Sequence, residues 1–246
     1  MSTLTDQSPA VTVAAAAGIG LVGFLVGLVF VSLAVSLLDA VLPLSEATPT
    51  RTAVTLVAQY SGSLAVVAFY LSTSERSMSF LRLGRPSARD VAWTVGGALA
   101  LFVTLTGANL VIEQLGLSLT EHSILDRAEE NPAILLPLIP LSVLVTGPVE
   151  ELLYRGVVQS RLREAFATVP AVLIASVVFM LVHIPAYFLS PGNGSILASL
   201  AVLFVLGDVL GALYEHTGNL FVPAVAHGVY NAVTFANKYL ELTGGL

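Results

Sequence analysis

The sequence predicts an all-α, polytopic transmembrane helix bundle of about seven spans, and three observations carry that prediction. The 246-residue chain is 56% hydrophobic and only 11% charged, with a mean hydropathy of +0.88, whereas a soluble domain carries about 25% charged residues. Its apolar residues gather in separate runs of about 20, the length that crosses a hydrocarbon core as a helix. These runs lack the apolar and polar alternation of a barrel strand.

The runs fall at about 12–38, 52–72, 91–112, 132–153, 170–189, 196–214 and 220–240. The first follows ten residues without a positive charge and is longer than the core of a signal peptide, so it reads as a membrane span. Arg76, Arg82, Arg85 and Arg89 separate the second and third runs, and Arg155, Arg161 and Arg163 follow the fourth. The positive-inside rule assigns both connections to the cytosol. The N-terminus is then cytosolic and the C-terminus external. Residues 1–131 comprise the N-terminal spans and an outward-facing acidic loop with Glu121, Asp126, Glu129 and Glu130. After Arg155, the spacing of Val158, Leu162 and Phe166 suits either an amphipathic extension along the headgroups or an ordinary basic flank.

Composition excludes several chemistries. The net charge of −6, with Lys238 the single lysine, argues against a nucleic-acid partner. The absence of cysteine removes disulfides, thiolate nucleophiles and Cys-based zinc sites. Any metal would need His and carboxylate ligands, and the histidines are His122, His183, His216 and His227.

Polar residues inside the apolar runs locate the candidate chemistry. A charge at membrane depth costs roughly 2.5–3.5 kcal/mol on insertion scales, so one retained there marks a functional candidate. Gly147-Pro-Val-Glu150-Glu151-Leu-Leu-Tyr-Arg155 holds two adjacent acids and an arginine. Glu151 and Arg155 are four apart in the favourable order for a helical pair. Glu150, turned about 100° away, is left available, unless both acids simply reach out to the cytosolic surface. His183 sits within an apolar run, one turn after Phe179 and just before the helix-kinking Pro185. His227 and Asn231 share a face of the last run, and Gly228 leaves room for a close neighbour or a substrate backbone. His183 could instead be an interhelical hydrogen-bond partner, Asn231 could merely bond a neighbouring helix, and the His227 and Asn231 pair could be a coincidence of packing residues. By counting residues at 1.5 Å each, His227 lies roughly 10 Å into its span and His183 roughly 20 Å, so His183 sits deeper than a Glu150 near the cytosolic end of span four. His122 and His216 read as solvated, although Glu215 and His216 could line an entrance. Asp208 has no assigned role, and Gly207 and Gly211 beside it indicate close helix packing.

Together these residues suffice for hydrolysis by activated water. Glu150 can take the proton, His183 can hold the water, and His227 with Asn231 can donate to an oxyanion. Zinc held by His183, His227 and Glu150 would serve equally, with a metal-bound water as nucleophile. His-Glu-x-x-His is absent, and the sequence does not choose between the two.

The three motifs resemble a known family. Glu150-Glu151-Leu-Leu-Tyr-Arg155, Phe179-Met-Leu-Val-His183 and His227-Gly-Val-Tyr-Asn231 are similar to the Glu-Glu-x-x-x-Arg, Phe-x-x-x-His and His-x-x-x-Asn motifs of the CAAX protease and bacteriocin-processing (CPBP, or Abi) family, which includes the type II prenyl-protein endopeptidases. The resemblance covers residues 132–240, a CPBP-like catalytic core, and leaves 1–131 as generic membrane helices. It implies an intramembrane endopeptidase, often described as a metalloprotease, with a conical cavity open to the cytosol and the active site toward the cytosolic leaflet of the cell membrane. By motif position, Glu150 is the base, His183 its partner on water, His227 and Asn231 the oxyanion contacts, and Glu151 with Arg155 a supporting pair. The partners implied are membrane lipids and a lipidated or apolar-tailed peptide, including a prenylated CAAX type. The competing class is a non-enzymatic membrane protein: an immunity or scaffold factor, or a proton-coupled carrier using Glu150, Asp208 and His183.

Overall fold

Capping residues start several of the helices. Ser8 accepts from the Val11 N–H ahead of α1 (Pro9–Val41), and Thr48 accepts from the Arg51 N–H ahead of α2 (Pro49–Thr73). In both, proline opens the helix, where its missing N–H costs nothing. Ser87 and Asp90 form a reciprocal capping box on α3 (Ala88–Gln114). The acidic segment folds into the short α4 (Ser123–Glu130). Then follow α5 (Pro132–Leu162), α6 (Thr168–Phe188), α7 (Ile196–Thr217) and α8 (Phe221–Thr243). The computed structural model describes residues 8–42, 44, 48–74, 76–190 and 192–245; most of the N-terminal flank without a positive charge lies outside them. Among the described residues the only β-type pairing is an isolated bridge between Leu119 and Ser195.

All of these helices except α4 and α8 are long and apolar enough to cross a membrane. The 23-residue α8 carries His227, Asn231, Lys238 and Glu241, and packs against α3 and α5 as a seventh helix of the bundle. The predicted all-helical membrane fold is therefore the observed one.

Span four differs from its expected limits. It does not stop near residue 153 but runs on to Leu162. The stretch after Arg155 does not lie along the headgroups either. Val158 and Leu162 are fully buried in a cluster with Val157, Ala171, Ala175 and Phe179, and Phe166 packs on its edge. Arg155 itself is buried within the span rather than following it. The apolar spacing that suggested a surface helix served interior packing, a distinction that periodicity alone does not make.

This extension removes the depth mismatch. Glu150 lies twelve residues before the Leu162 end of α5, and His183 fifteen after the Thr168 start of α6, roughly 18 and 22 Å along helices that meet at the same end of the bundle. The start of α8 is tucked inward as well: the Leu220 N–H donates to the Arg82 carbonyl (3.0 Å) and the Gly84 N–H to the Asn219 side chain (3.3 Å).

Candidate active site

The backbone of α5 is irregular where it carries the acids. Ser142–Thr146 and Leu152–Gln159 are wound as π-helix, with the α-helical turn Gly147–Glu151 between them. Pro140 and Pro148 supply no backbone donor, so the regular ladder cannot run unbroken through this region. Such wide turns recur at functional sites because they re-aim side chains.

Two glycines bring α5 against α8. A Cβ on Gly147 would stand 2.4 Å from the Ala224 carbonyl oxygen, and one on Gly228 would stand 2.7 Å from the Ser142 carbonyl oxygen. Backbone therefore meets backbone here. The space beside Gly228 is filled by a neighbouring helix, and the contact sets His227 beside the paired glutamates.

The two acids have separate surroundings, as their offset on the helix predicts. Glu151 is fully buried; one oxygen lies 3.0 Å from Arg155 Nε and the other 3.0 Å from His227 Nδ1. The Arg155 guanidinium also stacks over the Phe179 ring at 5.1 Å. Glu150 borders the cavity. Its Oε1 accepts a 2.6 Å hydrogen bond from the Tyr60 hydroxyl and lies 3.9 Å from His183 Nε2, while its Oε2 lies 3.7 Å from His227 Nε2.

The ring tautomers follow from these partners. His183 Nδ1 lies 2.7 Å from the Phe179 carbonyl oxygen. A carbonyl only accepts, so Nδ1 carries the proton and the Nε2 of a neutral ring faces Glu150 as an acceptor. By the same reasoning His227 Nδ1–H donates to the Glu151 carboxylate. Phe179 packs against both rings, at centroid distances of 4.5 and 6.1 Å.

Tyr60 and His122 are contributions that sequence reasoning missed. Tyr60 is held by its neighbours on α2: Gln59 donates to the Phe24 carbonyl (3.2 Å) and Ser63 to the Gly23 carbonyl (3.1 Å), pinning that face of α2 to α1. A tyrosine halfway along an apolar span was the available signal, since a buried hydroxyl needs a partner. His122 is not simply solvated. Its Nδ1 caps α4 by accepting from the Ile124 N–H, and its ring meets Tyr187 edge-on at 5.7 Å. Burial, reinforced by repulsion from His183 and opposed by Asp126, lowers it to about 4.

A cavity of about 950 Å³ is bordered by Tyr60, Glu150, His183, His227 and Asn231, which brings all four predicted catalytic residues to one space. Asn231 stands one helical turn beyond His227. A second cavity of about 300 Å³ reaches Tyr60, Glu150, His183 and His122 from another side. Asp208 borders neither. It lies within electrostatic reach of the buried Arg155, and Gly207 and Gly211 pack closely on α6 and Gln159 as their spacing predicts. His216 lies in α7 with its ring 4.3 Å from Trp93, and Glu215 binds Arg82, Arg163 and Gln159, so neither forms an entrance to the larger cavity.

The donors do not form a metal cage. The two imidazole nitrogens approach different oxygens of Glu150, and among the described residues no three His, Asp or Glu side chains converge on one point.

Residues 132–233 match the family model of the type II CAAX prenyl endopeptidases, described as Rce1-like. The Rce1-like stretch contains Glu150, Glu151, Arg155, His183, His227 and Asn231, and it ends before the last turns of α8. Tyr60 and His122 come from outside it, so the Rce1-like stretch is completed by α2 and by the connection after α3. No match was found among curated proteins or among solved structures.

The cavity of this Rce1-like site also bears on the expected topology. Its lining continues through Ser118, Glu121 and His122 of the connection between α3 and α5. The acidic connection expected to face outward thus contributes to the lining of the cavity expected to open to the cytosol.

Proposed function

We propose that the protein is an intramembrane endopeptidase that hydrolyses a peptide bond in a membrane-associated substrate with a lipidated or apolar tail. One observation carries this reading: in an Rce1-like stretch, a cavity-lining carboxylate faces the Nε2 atoms of two oriented histidines. Glu150 and His183 both face the 3.9 Å gap as acceptors and cannot bond to each other. A water between them donates one hydrogen to each, which fixes its lone pair toward a substrate carbonyl. Glu150 takes the proton as the water attacks, and returns it to the leaving amine. Asn231 donates to the oxyanion. His227, with Nδ1–H committed to Glu151, can donate from Nε2 only while its ring carries a second proton. Glu151 and Arg155 hold His227 in place. No step is routed through a metal, because the donors do not converge on one.

Replacing Glu150 by Ala and following cleavage of an acylated or prenylated peptide tests the reading. Loss of turnover in folded protein is expected, and undiminished turnover would overturn it. A proton-coupled carrier loses its third group, since Asp208 borders neither cavity.

A further inference from the structure

Asp208 is the one charged residue of α7 ahead of its last turn, and it borders neither cavity. A carboxylate inside an apolar span is costly and is kept where it has a partner. Close packing shows what lies beside it. A Cβ on Gly207 would stand 3.2 Å from Ser176 Cβ and 3.6 Å from Phe179 Cδ1, and one on Gly211 would stand 2.9 Å from Val172 Cγ1 and 2.8 Å from Gln159 Oε1. The helices α5, α6 and α7 follow one another up and down, so α5 and α7 run in the same direction. One turn before Gln159 on α5 is Arg155, and one turn before Gly211 on α7 is Gly207, so Asp208 stands at the level of Arg155. Phe179 marks that level from α6, since the Arg155 guanidinium lies over its ring at 5.1 Å.

Both groups have unused hydrogen-bonding capacity. Arg155 is fully buried; its Nε is ion-paired with Glu151 at 3.0 Å, while Nη1 and Nη2 have no hydrogen-bond acceptor among the described residues. Asp208 Oδ1 and Ser176 Oγ are likewise buried without a hydrogen-bond partner among them. Buried guanidinium nitrogens and a buried carboxylate oxygen rarely stay unpaired, and the charge of Arg155 reaches Asp208. Glu151 takes the Nε edge of the guanidinium, and Glu150 is held on Tyr60 at the cavity. That leaves Asp208 for the outer edge.

We propose that Asp208 is a positioning residue of this site, the counter-charge to the outer edge of Arg155. Asp208 of α7, Arg155 and Glu151 of α5 and His227 of α8 then form one line across the bundle, in which the signs alternate when the His227 ring carries its second proton. With Asp208 in place the guanidinium stays on Glu151, and Glu151 stays on His227 Nδ1, which keeps Nε2 toward Glu150. Asp208 borders no substrate space, so its removal loosens orientation without removing a binding contact. The catalytic consequence rests on the peptidase reading above; the line of charges does not.

Asp208→Asn keeps the shape of the side chain and removes its charge. With an acylated peptide as substrate, kcat is expected to fall roughly 10-fold at unchanged KM, the scale of loss when a group that orients a catalytic side chain is removed. Asp208→Glu, which keeps the charge, recovers most of it. The same variants are read without turnover by NMR of histidine-labelled protein. The His227 Nδ1–H resonance, assigned with His227→Gln, moves in Asp208→Asn and returns in Asp208→Glu. An unchanged kcat, or an unmoved His227 resonance, overturns the proposal. If the native protein cleaves nothing, the peptidase reading fails and the resonance still decides the line of charges. Should Asp208→Asn fail to fold, Arg155→Met supplies the background, because Asp208 has then lost its partner. The double variant is expected to unfold at no lower a temperature than Arg155→Met alone, and a further drop in midpoint overturns the proposal.

Discussion

The hydroxyl of Tyr60 donates a 2.6 Å hydrogen bond to Oε1 of Glu150, joining α2 to the acid-bearing turn of α5 across 90 residues of sequence. The bond orients the carboxylate that faces both histidines, and it comes from a helix outside the Rce1-like stretch. The N-terminal helices therefore complete the site as well as anchor it.

Tyr60→Phe removes this donor and keeps the ring. A hydrogen bond to a charged group is worth about 1.5–3 kcal/mol, so kcat is expected to fall roughly 10- to 100-fold with KM little changed. A KM effect alone, at constant kcat, would show that Tyr60 contacts substrate and does not position the base.

Arg155→Ala leaves Glu151 fully buried without its cation and removes the stack on Phe179. Breaking a buried pair from one side costs about 3–5 kcal/mol. Thermal unfolding in detergent should show a clear drop in midpoint, and an unchanged midpoint would mean that Glu151 is stabilised by His227 alone. Arg155→Lys keeps the charge but loses the planar stack, and recovers only part of the loss.

His122 makes stability depend on acid. Its folded value of about 4 lies below the ordinary histidine value of about 6.5. As pH falls below about 6.5 the unfolded chain takes up a proton that the folded chain refuses, so stability declines between about 6.5 and 4 and this effect then levels off. His122→Asn keeps a helix-capping side chain and flattens that interval. Denaturation midpoints across this range, compared between the two proteins, check it.

Activity is expected to survive exhaustive chelation, because Glu150, His183 and His227 do not converge as a three-donor set. Loss of cleavage on chelation, restored by added zinc and matched by stoichiometric metal in the purified protein, would overturn this expectation.

Much of the site was legible because charges in apolar runs are conspicuous. Glu150, Glu151, Arg155, His183, His227 and Asn231 all stand out against their spans, and the i, i+4 offset alone separated the roles of the two acids. Tyr60 escaped because a tyrosine in a membrane helix is unremarkable until its hydroxyl finds a partner, and that partner lies on another helix. His122 escaped because its segment reads as a polar loop, while its burial depends on Tyr187 and the cavity wall.

The sequence by itself determined the helical membrane class, the approximate placement of the spans and the polar residues that stand out within them, since hydropathy and helical spacing are local properties. Tertiary structure decided the rest. It carried span four past Arg155 to Leu162, brought Gly147 against Gly228 so that Glu151 meets His227, and supplied Tyr60 to Glu150. It also brought part of the acidic connection into the lining of the cavity. Each of these depends on which helix faces which at what depth. Such pairings are fixed by packing between distant segments, and no local pattern along the chain encodes them.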